Sequence, residues 1–164
     1  MFQIRALADE DWESVRAIYL DGIATGQATF ETQAPTWEHW NQTHLPAPRL
    51  VAVSKGTIVG WAALSPVSTR RVYAGVAEVS VYVASKWQGQ RIGQRLLETL
   101  VSESEKNGIW TLQASIFPEN VPSLSLHKSC GFRQVGIRVR IGKMNGVWRD
   151  TALLERRSKV VGCD

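Results

Sequence analysis

The sequence predicts an α/β fold in which a mixed sheet carries helices on both faces. Short runs rich in β-branched and aromatic residues alternate with segments whose apolar residues recur at helical spacing. Two pairs of runs are joined by short turns, Lys55-Gly56 and Asn145-Gly146, and the second turn is typical of a tight antiparallel hairpin. The predicted order of elements is β-α-α-β-β-β-α-β-α-β-β.

The N-terminal part of the chain predicts one strand and two helices. Residues 2–7 alternate between apolar and polar side chains, as in a strand with one buried face. Asp9 is predicted to cap the first helix, because its carboxylate can accept a hydrogen bond from a free backbone N–H group. Thr36 is predicted to cap a short second helix that carries two tryptophans.

The remaining elements follow from the same signals. They are a hairpin over residues 50–64, a strand over 78–83, a helix from about Gly93 to Asn107, a strand over 109–116, a helix over 118–130 and a hairpin over 132–154. Neither a repeat nor a linker interrupts this series. We therefore expect a single domain over residues 1–164, with residues 159–164 as a loose C-terminal tail.

Composition and charge narrow the classes of function. The chain is 44% hydrophobic and 21% charged, and no apolar run approaches the length of a membrane span. Its first residues lack the apolar stretch of a signal peptide, so we expect a cytoplasmic protein. Cys130 and Cys163 are too few for a metal set, and no metal is expected. The net charge of +4 suits a phosphate-bearing ligand, but the basic residues are scattered, which disfavours nucleic acid.

The stretch from Glu78 to Gly93 contains the strongest candidate for a ligand site. A strand leads through a glycine-containing loop into a helix, and the free N–H groups of a helix N-terminus favour an anion. The alternative is an ordinary strand-to-helix loop that uses glycine for its turn. Neither a Walker A loop nor the Rossmann glycine fingerprint is present.

Three motifs in fixed order carry a family resemblance. They are Gln88-Gly89-Gln90-Arg91-Ile92-Gly93, the helix start Asn120-Val121-Pro122-Ser123, and Leu126-His127-Lys128-Ser129-Cys130-Gly131-Phe132. Together they resemble the GCN5-related N-acetyltransferase (GNAT) superfamily. Residues 78–83 and the closing Gly146-x-Trp148-x-Asp150 resemble its phosphinothricin and methionine sulfoximine N-acetyltransferase branch. The resemblance implies the GNAT fold, a single mixed, largely antiparallel twisted sheet flanked by about four helices.

The resemblance also implies acetyl-CoA as the acetyl donor. By this analogy the backbone of Val81, Tyr82 and Val83 would pair with the pantetheine arm. The pyrophosphate would be held by the loop residues Gln88, Gly89, Gln90, Arg91, Ile92, Gly93 and Gln94. Asn120 and Ser123 would contact the cofactor near the pantetheine. Arg91 stands where the family pattern has glycine, but its backbone N–H remains and its side chain could reach a phosphate.

Two residues are predicted to carry the chemistry. Glu78 is the candidate general base, because a carboxylate in a sheet can take a proton from an amine directly or through water. Its alternative role is to join Ser80 and Tyr82 on a solvated strand face. His127 is the counterpart of the family's general acid, and it would protonate the departing thiolate or hydrogen-bond the sulfur. Its alternative is a surface histidine beside Lys128.

The acceptor site is predicted from the same resemblance. Arg70, or its neighbour Arg71, could form the bidentate contact that an arginine makes with a carboxylate, and Tyr73, Phe30 and Glu31 would wall the pocket. Adjacent arginines are otherwise simply solvated. The expected reaction is transfer of the acetyl group of acetyl-CoA to the amino group of a small amino acid or analogue. Methionine sulfoximine, methionine sulfone and phosphinothricin are the typical acceptors of the branch.

Other functions stay open at this point. The acceptor could be a polyamine, an aminoglycoside or a protein N-terminus, or the chain could be a CoA-binding module without turnover. A basic nucleic-acid binder would show a steep salt dependence of affinity. The partners we expect are a small-molecule amine and a second copy of the chain, with no nucleic acid and no membrane. Trp37 and Trp40, expected to be exposed, could contribute to the dimer contact.

Overall fold

A computed structural model of the protein describes residues 1–164 as seven strands and four α-helices. In chain order these are β1 (Gln3–Ala6), α1 (Trp12–Ala24), α2 (Trp37–Thr43), β2 (Arg49–Ser54), β3 (Thr57–Pro66), β4 (Val76–Val83), α3 (Ile92–Lys106), β5 (Thr111–Ile116), α4 (Val121–Ser129), β6 (Arg133–Met144) and β7 (Val147–Arg157). The predicted order of elements is confirmed. None of the helices is both long enough and apolar enough to cross a bilayer. The expected tail, residues 159–164, contains no helix or strand.

The seven strands form one sheet in the order β1-β2-β3-β4-β5-β7-β6, and every neighbouring pair is antiparallel except β4 and β5. β3 pairs with β4 along the whole strand, from Gly60↔Val83 to Pro66↔Ala77. The parallel pairing of β4 with β5 covers only residues 76–78 opposite 111–113. Beyond Glu78 the two strands separate. The second half of β4 therefore has no strand neighbour on its β5 side, and we call this opening the split.

The sheet has a hydrophobic core on each face. Alternate residues of a strand point to opposite faces, so Ala62 and Leu64 of β3 join the larger core with α3, whereas Trp61 and Ala63 join the smaller core with α1 and α2. The expectation that Trp37 and Trp40 are exposed is wrong. Trp40 is 1% exposed and stacks on Trp37, because burial of these large rings under the sheet removes much apolar surface from water.

Local hydrogen bonds decide where the N-terminal helices begin. Asp9 does not cap α1. Asp11 instead forms the hydrogen bond at this helix start: its carboxylate accepts the Ala8 N–H at 2.8 Å and pairs with Arg5 at 2.7 Å. A 3₁₀ turn over Asp9–Asp11 therefore precedes α1. The prediction for α2 is confirmed, because Thr36 Oγ1 accepts the His39 N–H at 3.2 Å.

Both predicted hairpins are confirmed. Lys55 and Gly56 have φ of 48° and 77°, and Asn145 and Gly146 have φ of 50° and 79°. Successive residues in this left-handed region produce the tight turn whose twist matches two antiparallel strands. The second turn places β6 at the outer edge of the sheet, beside β7.

Candidate active site

The split between β4 and β5 opens into a cavity of about 710 Å³. One wall is the second half of β4, and the opposite wall comes from β5 and the first turns of α4. α2 and the connection that follows α1 close the cavity from the β4 side. The fold thus brings together segments that are far apart in sequence at the split, where two neighbouring strands inside the sheet stop pairing.

Glu78 is the last residue of β4 that pairs with β5, and it lines the cavity. Its Oε1 accepts hydrogen bonds from Gln113 Nε2 at 3.0 Å and Ser115 Oγ at 3.3 Å. Both bonds go to the same oxygen, so the carboxylate is oriented while Oε2 keeps its lone pairs. Such a carboxylate can accept a proton from a group bound in the cavity, directly or through water.

His127 also lines the cavity and is 5% exposed, so the alternative of a surface histidine is wrong. Its Nδ1 lies 2.8 Å from the carbonyl oxygen of Ser123. A carbonyl only accepts, so this contact assigns the proton to Nδ1 and leaves a lone pair on Nε2. Burial lowers the pKa of His127, which favours this neutral form. The ring can therefore accept a hydrogen bond through Nε2, and it can donate a proton there only after receiving one.

A second, half-buried histidine in the cavity repeats this arrangement. His44 Nδ1 lies 2.8 Å from the carbonyl oxygen of Trp40, and burial lowers the pKa of the imidazole. Its ring stacks on Trp40 with centroids 4.1 Å apart. His44 is not predicted as a site residue from the sequence, because a histidine that follows a short helix has no distinguishing signal.

An aromatic wall lies on the α1 and α2 side of the cavity. Tyr82 stacks on Trp61 with centroids 4.9 Å apart and meets Tyr19 edge-on at 5.0 Å. Burial raises the pKa of both tyrosines, which stay protonated. The side chain of Tyr82, and not only its backbone, therefore belongs to the site. Those of Val81 and Val83 point to the other face of the sheet and pack against the α3 core.

The loop over residues 88–93 lies beyond the end of β4. Ile92 is buried as the first residue of α3, whereas residues 88–91 are exposed. Gly89 and Arg91 have φ of 77° and 62°. Arg91 thus adopts the left-handed conformation that favours glycine, the residue of the family pattern at this position. The first backbone N–H groups of α3 have no partner within the helix, as an anion site requires.

The neighbouring cofactor candidates have defined partners. Gln94 Nε2 donates to Glu98 Oε1 at 2.9 Å on the surface of α3. Asn120 and Ser123 both line the cavity. Asn120 Oδ1 accepts the Ser123 N–H at 3.2 Å, which caps α4, and its Nδ2 donates to the carbonyl of Gln27 at 3.0 Å.

The four predicted acceptor residues separate into two pairs. Phe30 and Glu31 line the cavity. Arg70 and Tyr73 do not: they are exposed in the connection between β3 and β4, where the Arg70 guanidinium lies over the Tyr73 ring at 5.4 Å. No arginine or lysine lines the cavity, whose carboxylates are Glu31 and Glu78. No cluster of histidine, cysteine, aspartate and glutamate is arranged to hold a metal ion.

Comparison with known proteins places this geometry in a family. The family model described as "Acetyltransferase (GNAT) family" matches residues 4–132. Phosphinothricin N-acetyltransferase of Alcaligenes faecalis is 34% identical, over 93% of this chain and 81% of that protein. The L-methionine sulfoximine/L-methionine sulfone acetyltransferase of Pseudomonas aeruginosa is 27% identical, over 93% of this chain and 92% of that protein.

A solved structure agrees with these relatives. The GNAT superfamily phosphinothricin acetyltransferase from Sinorhizobium meliloti, in complex with AcCoA, superposes with a TM-score of 0.88 at 26% identity, over 99% of this chain and 91% of that one. The predicted resemblance, fold and acetyl donor are confirmed. The chain belongs to the acetyltransferase (GNAT) family and is an acetyl-CoA-dependent N-acetyltransferase.

Proposed function

We propose that the protein transfers the acetyl group of acetyl-CoA to the amino group of a small amino acid or analogue, with Glu78 as the general base. The position of Glu78 supports this proposal most directly. It stands where β4 and β5 separate, with one oxygen fixed by Gln113 and Ser115 and the other available to the cavity. Relatives that act on phosphinothricin and on methionine sulfoximine support the acceptor class.

The residues along the split fit acetyl-CoA. The β5 side of β4 is unpaired beyond Glu78, so the backbone of Val81, Tyr82 and Val83 can bind an extended chain as an added strand would. The loop over residues 88–93, continued by Gln94, offers N–H groups to a pyrophosphate. Asn120 and Ser123 face the same cavity. Bound there, acetyl-CoA supplies the activated acetyl group.

Residues of the protein would then transfer the protons that the reaction requires, from the amine and to the thiolate. An amine attacks a carbonyl carbon only as the free base, and Glu78 would remove the excess proton as the C–N bond forms. A backbone N–H of residues 81–83 would donate to the oxygen on which negative charge develops. His127, neutral with its lone pair on Nε2, would take up a proton there from solvent water and pass it to the departing thiolate, while the proton that Glu78 removed returns to solvent.

One observation favours a second candidate acceptor. An α-amino acid carries a carboxylate, yet the cavity contains no arginine or lysine. Arg70, with Tyr73 beside it, stays the proposed carboxylate contact, and it would act from the surface. An amine without a carboxylate, such as a polyamine, would instead bind beside Glu31 and the aromatic wall, because a carboxylate and aromatic rings both attract an ammonium group.

Thiol release from acetyl-CoA tests these proposals. We would compare methionine sulfoximine, methionine sulfone, phosphinothricin, spermidine and kanamycin as acceptors, using the wild type and Glu78→Gln. Turnover of the first three that collapses in the variant is the expected result. The amine 3-(methylsulfonyl)propylamine, which is methionine sulfone without its carboxylate, is the matched control. If it is the better substrate, the amino-acid proposal is overturned in favour of the second candidate.

We also propose a homodimer formed through β6, in the cytoplasm. Alternate residues of this edge strand, Val135, Ile137, Val139 and Ile141, are exposed, and an exposed apolar edge favours pairing with another strand. Both cysteines are unpaired, as in reducing compartments. Light scattering should give twice the chain mass for the wild type and the chain mass for Val139→Asp. Val160→Asp, at a similarly exposed valine outside the sheet, is the control that should stay dimeric.

A further inference from the structure

Residues 26–31, which we call the strap, cross the split from one wall of the cavity to the other. On the β4 side, Thr29 lies close to Tyr19 and Tyr82 and lines the cavity with them. On the opposite side, Asn120 Nδ2 donates to the carbonyl of Gln27 at 3.0 Å. The strap contains no helix or strand, so these side-chain contacts must fix its conformation.

Arg149 of β7 provides the largest set of polar contacts to the strap. Its Nη1 donates to the carbonyl of Gly26 at 2.8 Å, and its Nη2 donates to Gln27 Oε1 at 2.8 Å. Nη2 also lies 3.3 Å from Glu119 Oε2. The side chain is only 14% exposed. A guanidinium held in this way by several acceptors loses little additional freedom for each bond, and it makes a rigid anchor.

Ring stacking extends this anchor into the cavity. The guanidinium carbon of Arg149 lies 3.7 Å from the centre of the Phe117 ring. Phe117 meets Phe30 of the strap edge-on, with centroids 4.9 Å apart. On its other side Phe30 packs against Gly142 of β6, where an added Cβ would come within 2.7 Å of the ring. Arg149 is thereby connected to Phe30, a residue of the cavity lining, through one intermediate ring.

We propose that Arg149 is a positioning residue for the acceptor, which holds the strap closed across the split so that Phe30 and Glu31 form the acceptor wall. This inference rests on the proposed acetyl transfer to a small amine. Arg149 itself does not line the cavity, so it acts through the strap and not on the substrate. Its contacts lie on the acceptor side, whereas the loop at residues 88–93 makes none with it.

The test compares two variants. Arg149→Met removes the charge and both hydrogen bonds to the strap, whereas Arg149→Lys keeps the charge but loses the planar guanidinium that donates from two nitrogens. Because charge-assisted bonds are lost, we expect the acceptor KM to rise about tenfold in Arg149→Met and less in Arg149→Lys, with the KM for acetyl-CoA changed by less than about twofold. Arg133→Met is the control, because Arg133 is an exposed arginine of the same hairpin that pairs with Glu155. Equal losses for both substrates would overturn the proposal.

Hydrogen exchange gives a readout that does not depend on turnover. Without any ligand, amides of residues 26–31 should exchange about tenfold faster in Arg149→Met, while those of β6 and β7 stay unchanged. Gln27→Ala, which removes one of the two strap-side partners of Arg149 and leaves the Gly26 carbonyl, should produce part of the same increase. Unchanged exchange in the strap would overturn the proposal even in an active enzyme. Faster exchange in a protein that acetylates none of the amines would support the anchor and reject the proposed function.

Discussion

The two ends of the candidate site are built in different ways. The loop at residues 88–93 is one short segment whose side chains mostly face solvent, so the proposed binding of the pyrophosphate falls to its backbone N–H groups. The cavity at the other end is lined by side chains from α1, α2, the strap, β3, β4, β5 and α4. A site built from backbone groups should tolerate a changed side chain, such as Arg91 in place of glycine, whereas a site made of packed side chains should respond to the addition or loss of single atoms.

The largest expected effect is at the acceptor end, at Glu78. Glu78→Gln keeps the size of the side chain and removes its basicity, so we expect kcat to fall by about 10²–10⁴. Acetyl-CoA should bind with unchanged affinity, because Glu78 is not among its proposed contacts. Steady-state kinetics and calorimetry measure the two quantities. Glu103→Gln, at a surface ion pair of α3, should match the wild type. If Glu78→Gln lost both kcat and affinity for acetyl-CoA, this would contradict the proposal that catalysis and cofactor binding depend on separate ends of the site.

A single methyl group should be enough to disturb the acceptor wall. In Gly142→Ala the new Cβ would lie within 2.7 Å of the Phe30 ring, which must move into the cavity or away from it. We expect the acceptor KM to rise about fivefold, since a shift near 1 Å in a positioning group is costly. Gly136→Ala, in the same strand with no atom within 4 Å of its Cβ, is the matched control. Equal kinetics for the two variants would show that the acceptor wall is not packed side chains.

The same contrast explains what could be predicted from the sequence. The strands, helices and hairpins follow from local patterns, and the loop at residues 88–93 is a contiguous motif. The elements and the loop could therefore both be predicted from the sequence. The cavity depends on where β4 and β5 stop pairing, which no local pattern encodes. His44 and Arg149 were therefore missed, since their roles come from partners distant in sequence or from burial. Arg70 and Tyr73 were proposed by analogy, and the fold leaves them on the surface.

At the loop end, Arg91 allows the role of the backbone to be separated from that of the side chain. A non-glycine residue in the left-handed region is strained, so Arg91→Gly should raise the free energy of unfolding by about 0.5–1 kcal/mol after the entropy cost of glycine. Arg91→Ala keeps the strain and should not. If the exposed guanidinium reaches a phosphate, both variants should bind acetyl-CoA about two- to fivefold more weakly. Chemical denaturation and calorimetry test this, and a loss of binding in Arg91→Gly alone would contradict the proposed backbone site.

The smallest expected effect is a pH dependence of stability that comes from the cavity and not from the loop. Burial lowers the pKa of His44 and His127 below the ordinary value of 6.5, whereas the loop contains no group that titrates nearby. As the pH falls below 6.5, the unfolded chain binds protons at these histidines that the folded protein does not bind, so the free energy of unfolding must decrease. Chemical denaturation at a series of pH values should show this decrease. The dependence of the free energy of unfolding on pH should become weaker in His127→Gln and in His44→Gln. It should persist in His39→Gln, at an exposed position of α2. An unchanged slope in both cavity variants would mean that their imidazoles are not held neutral, and that His127 could begin the reaction as an acid.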